Sequence, residues 1–131
     1  MAEHFDRVKG YLLDLGLTIT AEDEAEELVL VDDEDNGIKK LFVDCEPPIV
    51  ILEQLIGHVP ASPGDLFVRL LQMNNTLVHG AFVLDEDAAR IFYRDTLQLA
   101  NLDVNELEGS IDALSLAMAE HGAELLGYLK R

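Results

Sequence analysis

The stretch NNTLVHGAFVLDEDAARIFYRDTLQLANLD, from Asn74 to Asp103, decides the fold. Two apolar, alternating segments flank the acidic turn Asp85-Glu86-Asp87, which predicts an antiparallel pair of strands. In the first, Val78, Gly80, Phe82 and Leu84 alternate with Leu77, His79, Ala81 and Val83, so both faces are apolar and cover is expected on each. In the second, Arg90 to Leu99, apolar Ile91, Tyr93, Leu97 and Leu99 are separated by polar residues, so one face should meet solvent. The pair runs directly into a helix start, because Asp103 and Glu106 form a cap and N3 pair. Leu107, Ile111, Leu114, Met118, His121, Leu125 and Tyr128 follow at spacings of three and four, a stripe suited to packing on a sheet.

Working back toward the N-terminus, Ser62-Pro63-Gly64-Asp65 reads as a helix start with Ser62 as cap and proline at the first helical position. Leu66, Phe67, Leu70 and Leu71 then make an apolar face until Asn74 and Asn75 release the chain. Before it lie three predicted strands, Leu28 to Val31, Ile38 to Glu46 and Ile49 to Val59. The first two join through Asp32-Asp33-Glu34-Asp35-Asn36-Gly37, whose Asn-Gly suits a tight hairpin, and Pro47-Pro48 marks the second break. Thr18 and Ile19 open an extended segment, but Ala21 to Glu27 is acidic enough to read as a solvated lead-in. From Ala2 to Leu15, Phe5, Val8, Tyr11, Leu12 and Leu15 recur at helical spacing, with Gly16 placed to end the helix. The expected architecture is α+β, helix-β-β-β-helix-β-β-helix, with an antiparallel sheet packed by helices.

At 131 residues the chain has the size of one domain, and residues 1–131 show no repeat, low-complexity tract or linker. Its 49% hydrophobic residues suffice for a core. Asp and Glu number 26 against 9 Lys and Arg, a net charge of -17, which argues against nucleic acid and anionic membranes as partners. A single cysteine, no signal-like N-terminus and no long apolar run point to the cytoplasm.

The element order, with Leu70-Leu71-Gln72-Met73-Asn74-Asn75, Gly80 through Asp87, Arg90-Ile91-Phe92-Tyr93-Arg94 and Leu97 through Asp103, resembles the class I chaperones of type III secretion and the related YbjN-type domains, the CesT/Tir chaperone-like fold. That resemblance covers nearly the whole chain and implies a small homodimer that holds a client protein through apolar surface, without ATP, cofactor or turnover. By β-augmentation or groove binding, the first helix and the first three strands would receive the client, through Phe5, Val8, Leu12, Val50, Ile51 and Leu52. Phe67, Leu71 and Phe82 are the candidates for the dimer interface.

Constellations that would carry chemistry are missing their essential members. Asp32, Glu34, Asn36 and Gly37 match the opening of a calcium loop, but its twelfth place is Val43, where a bidentate Glu is needed. His4, His58, His79 and His121 lack metal-site spacing, and His121 reads as a packed residue of a helical stripe. Asp44 and Glu46 beside Cys45 disfavour a thiolate. No phosphate-cradling or dinucleotide glycine motif is present. The sequence therefore predicts no catalytic residues and no metal; a small-molecule-binding regulatory or sensory module is the alternative to a protein-binding one.

Overall fold

A computed structural model of the chain describes residues 2–130. Helix α1 (Ala2–Asp14) is followed by β1 (Thr18–Asp23), β2 (Leu28–Asp33), a single 3-10 turn (Glu34–Asn36), β3 (Ile38–Glu46) and β4 (Ile49–His58). Then come α2 (Leu66–Asn74), β5 (Ala81–Leu84), β6 (Arg90–Gln98) and α3 (Val104–Leu129). The six strands form one sheet in the order β1-β2-β3-β4-β6-β5, antiparallel at every pairing. This is the α+β arrangement read from the sequence, with one strand added at the N-terminal edge.

That added strand corrects the reading of Ala21 to Glu27 as a solvated lead-in. Ala21, Glu22 and Asp23 pair with Leu30, Val29 and Leu28, although their side chains stay in water. Three further expectations shift. The loop before β3 holds only Gly37 at positive φ (77°), after the 3-10 turn, and is not a two-residue hairpin. Ser62 does not cap α2: Gly64 takes φ 60°, the helix begins at Leu66, and the Asp65 carboxylate instead accepts a 2.6 Å hydrogen bond from the Tyr128 hydroxyl. The strand expected from Leu77 shrinks to Ala81–Leu84, because Gly80 turns at φ 70° and Tyr93 donates to the His79 carbonyl at 2.7 Å. It is an edge strand, and it is not covered on both sides.

The ends of α1 and α3 form as their residues dictate. Gly16, at φ 85°, closes α1 with the paired bonds Leu17 N–H to Leu12 and Gly16 N–H to Leu13. The Asp103 carboxylate accepts from the Glu106 amide at 2.9 Å and starts α3.

Alternation along the strands separates two faces. One, carrying Val29, Val31, Leu41, Val43, Val50, Leu52, Ile91 and Tyr93, is buried with Phe5, Val8 and Leu12 of α1 and Leu107, Ile111 and Leu114 of α3. Side-chain contacts fix the helices to this side: Ser110 of α3 donates to Asp95 of β6 at 2.7 Å, and Phe82 of β5 meets His121 of α3 edge-on. Helix α2 buries Leu66, Leu70 and Met73, and a bidentate Arg69–Glu124 pair joins it to α3.

Candidate functional site

The opposite face of the sheet exposes apolar side chains to solvent. Its centre is built from cross-strand neighbours in register: Leu30 opposite Phe42, Leu28 and Ile51 on either side of Asp44, and Leu55 opposite Phe92. Leu28, Leu30, Ile51 and Phe92 are half-buried, whereas Phe42 is 42% and Leu55 46% exposed. A shallow hollow of about 320 Å³ lies among Leu28, Phe42, Asp44, Ile51, Glu53 and Arg94. Exposed apolar side chains gathered on one face and rimmed by polar groups mark interaction sites on proteins.

Two charged features lie in the hollow. Arg94 of β6 and Glu53 of β4 face each other across the strands at 3.6 Å. Among the described residues no cation pairs with Asp44, and its carboxyl is pushed up to about 6, first by burial and then by the neighbouring Glu46 and by Glu26. Its uncharged form is favoured because the surroundings are apolar and otherwise negative.

The residues singled out from the sequence for client binding divide unevenly. Only Ile51 lies on the open face; Phe5, Val8, Leu12, Val50 and Leu52 are buried between sheet and helices, so no partner reaches them in the folded chain. The helices cover the Val50 and Leu52 face of β4 and leave the Ile49, Ile51 and Leu55 face uncovered. Phe42, Leu55 and Phe92, none of them among the residues singled out for client binding, join Leu28 and Leu30 in that surface. Of the dimer candidates, Phe82 is sealed between Tyr93 and His121, while Phe67 is 37% and Leu71 73% exposed on α2 beside Val68.

The groups weighed for chemistry are occupied structurally. The Asp32 carboxylate accepts from the Lys40 amide at 2.7 Å and Asp33 from Asn36 at 2.7 Å. His121 meets the Thr76 hydroxyl at 2.9 Å, and its ring packs on Phe82. Burial, then Glu27 and Asp44, push the Cys45 thiol up to about 11, so a thiolate is disfavoured at neutral pH. The hollow among α1, α3 and the β2–β3 loop, lined by Leu15, Leu17, Asp33, Ile38, Ile111 and Asp112, holds about 150 Å³. Small-molecule pockets generally need about 300 Å³ or more and enclose most of the ligand; this hollow is too small, and the larger one on the sheet face is shallow and open.

The family model CesT_Tir_1 matches residues 1–131. The chain belongs to the CesT_Tir_1 family. No curated protein matches the sequence. Among solved structures, this CesT_Tir_1 chain is similar to YbjN, a putative transcription regulator from E. coli, at 15% identity with 92% of each chain covered and a TM-score of 0.71. It is also similar to the heterodimeric complex ExoU-SpcU from the type III secretion system of Pseudomonas aeruginosa (18% identity, 93% of this chain and 97% of that chain covered, TM-score 0.68). A third is the Yersinia pestis type III secretion chaperone SycH in complex with a stable fragment of YscM2 (13% identity, 88% and 98% covered, TM-score 0.61). At these identities the likeness is one of fold. No helix among the described residues is long and apolar enough to cross a membrane.

Proposed function

We propose that this chain is a non-enzymatic, chaperone-like protein of the cytoplasm that holds a segment of another protein against the open face of its sheet. The observation that carries the reading is the face itself, where Phe42 and Leu55 stand exposed among half-buried apolar neighbours. Family membership and the chaperone complexes among the structural neighbours support it. The regulator named for YbjN does not suggest nucleic acid here, because 26 acidic residues against 9 basic ones repel a phosphate backbone. A homodimer through α2 completes the proposal, since Phe67, Val68 and Leu71 give that helix an apolar outer side.

The test separates the two surfaces. Phe42→Glu with Leu55→Glu removes the apolar face without touching the core, and circular dichroism should stay that of the parent. A partner that co-purifies stoichiometrically with the parent and crosslinks to β3 or β4 should then be lost; its undiminished capture would refute the reading. Leu71→Glu should convert a dimer to a monomer in light scattering, and an unchanged mass would remove α2 from the interface.

A further inference from the structure

We propose that the open face selects a partner segment in which an arginine is flanked by apolar residues, its guanidinium seated on Asp44 and Glu46 and its apolar neighbours on Leu28, Phe42 and Ile51. The inference rests on the protein-binding reading above and specifies the kind of segment that fits. Asp44 and Glu46 stand two residues apart on β3 and therefore on one side of the sheet, and Asp44 lies directly between Leu28 and Ile51. The charged groups around them are Glu26 from the β1–β2 turn, Asp23 of β1 opposite Leu28, Glu53 of β4 and Arg94 of β6. Arg94, the cation of this hollow, faces Glu53.

Burial and the neighbouring Glu46 charge hold the Asp44 carboxyl up to about 6. A guanidinium supplies planar N–H donors to both side chains and favours the ionised form of Asp44, so below about pH 6 its binding is coupled to release of the Asp44 proton. The net charge of -17 draws a basic segment and repels an acidic one over the whole approach. A wholly apolar segment would have to cover Asp44, which is easier when that carboxyl is protonated. The two kinds of segment therefore have opposite pH dependence.

Three labelled amphipathic peptides, identical except for arginine, norleucine or glutamate at the central apolar-face position, distinguish them by fluorescence anisotropy. The arginine peptide should bind about tenfold more tightly than the norleucine peptide at neutral pH, as a charge-assisted pair gives. That advantage should shrink toward pH 5 and vanish in Asp44→Asn, and the glutamate peptide should not bind. Norleucine binding as tightly as arginine at neutral pH, indifferent to Asp44→Asn but lost in Phe42→Glu, would overturn the arginine selection and leave the protein-binding face standing. Failure of every peptide to bind the folded protein would overturn both.

Discussion

Gln54 offers the sharpest test of how the open-faced sheet is held together. It is 4% exposed on the helix side of β4, where its amide donates to the Gly37 carbonyl at 3.1 Å and accepts from the Lys39 amide at 3.0 Å. It thereby serves both backbone groups flanking Ile38, at the entry to β3, where the β2–β3 register shifts. Gln54→Glu keeps the shape and the acceptor but removes the donor, and it turns a buried oxygen lone pair toward the Gly37 carbonyl. An unsatisfied buried group costs about 1–3 kcal/mol, and the buried charge adds to this, although water reaches the exposed Lys39. A loss of about 2–4 kcal/mol near pH 7.5 follows, which at a urea slope of roughly 1.5 kcal/mol/M moves the unfolding midpoint down by about 1.3–2.7 M. The new carboxyl titrates higher in the folded than in the unfolded protein, so the native state holds the extra proton. Stability is therefore recovered as pH falls through the folded value, where the protonated group again donates to Gly37. Urea titrations of parent and variant near pH 7.5 and near pH 4.5 measure it. A loss below about 0.5 kcal/mol, or one equal at both pH values, would refute the reasoning.

Three further outcomes are expected. Asp44→Asn should stabilise the protein above pH 6 and be neutral near pH 4: the Asp44 carboxyl rises from 3.8 to about 6 on folding, so parental stability from this group is lost as pH climbs through that window. Thermal melts across that range check it. Gly80→Ala should be strongly destabilising, because φ 70° disfavours a side chain and the added methyl meets the Tyr93 hydroxyl. Tyr93→Phe alone should cost about 1–2 kcal/mol by orphaning the His79 carbonyl, and the double variant should lose less than the sum. Asp103→Ala removes the α3 cap and should cost about 1 kcal/mol, a drop of roughly 3–6 °C in Tm by calorimetry.

What could be read from the sequence was whatever side chains pay for locally. The cap at Asp103, the stripe of α3 and the alternation of β6 are local patterns, and the structure realises each. Strand β1 was illegible because its backbone bonds to β2 while its side chains remain in water, and composition reports side chains only. The start of α2 was misread because Asp65 is held by Tyr128, a partner 63 residues away, and no local capping rule can see it. The candidate site suffered from a symmetry: on β4, Ile49, Ile51 and Leu55 are as apolar as Val50 and Leu52. Periodicity separates the two sets without saying which one the helices cover.

Charge then bears on how a partner would approach. The β1 edge presents unpaired backbone groups, which invite strand addition, yet Glu22 and Asp23 occupy its exposed end, and charged edge strands resist such pairing. The β5 edge is only Ala81–Leu84, too short to template a long segment. Between them the face runs across the strands through Leu30, Phe42, Ile51, Leu55 and Phe92 without passing either edge. A segment laid over that face gains apolar contact and leaves the acidic edge in water. A second copy of the chain would bring its own -17 to the same contact. The face is therefore better matched to a basic partner than to itself, and the dimer proposed through Phe67, Val68 and Leu71 of α2 would leave it free.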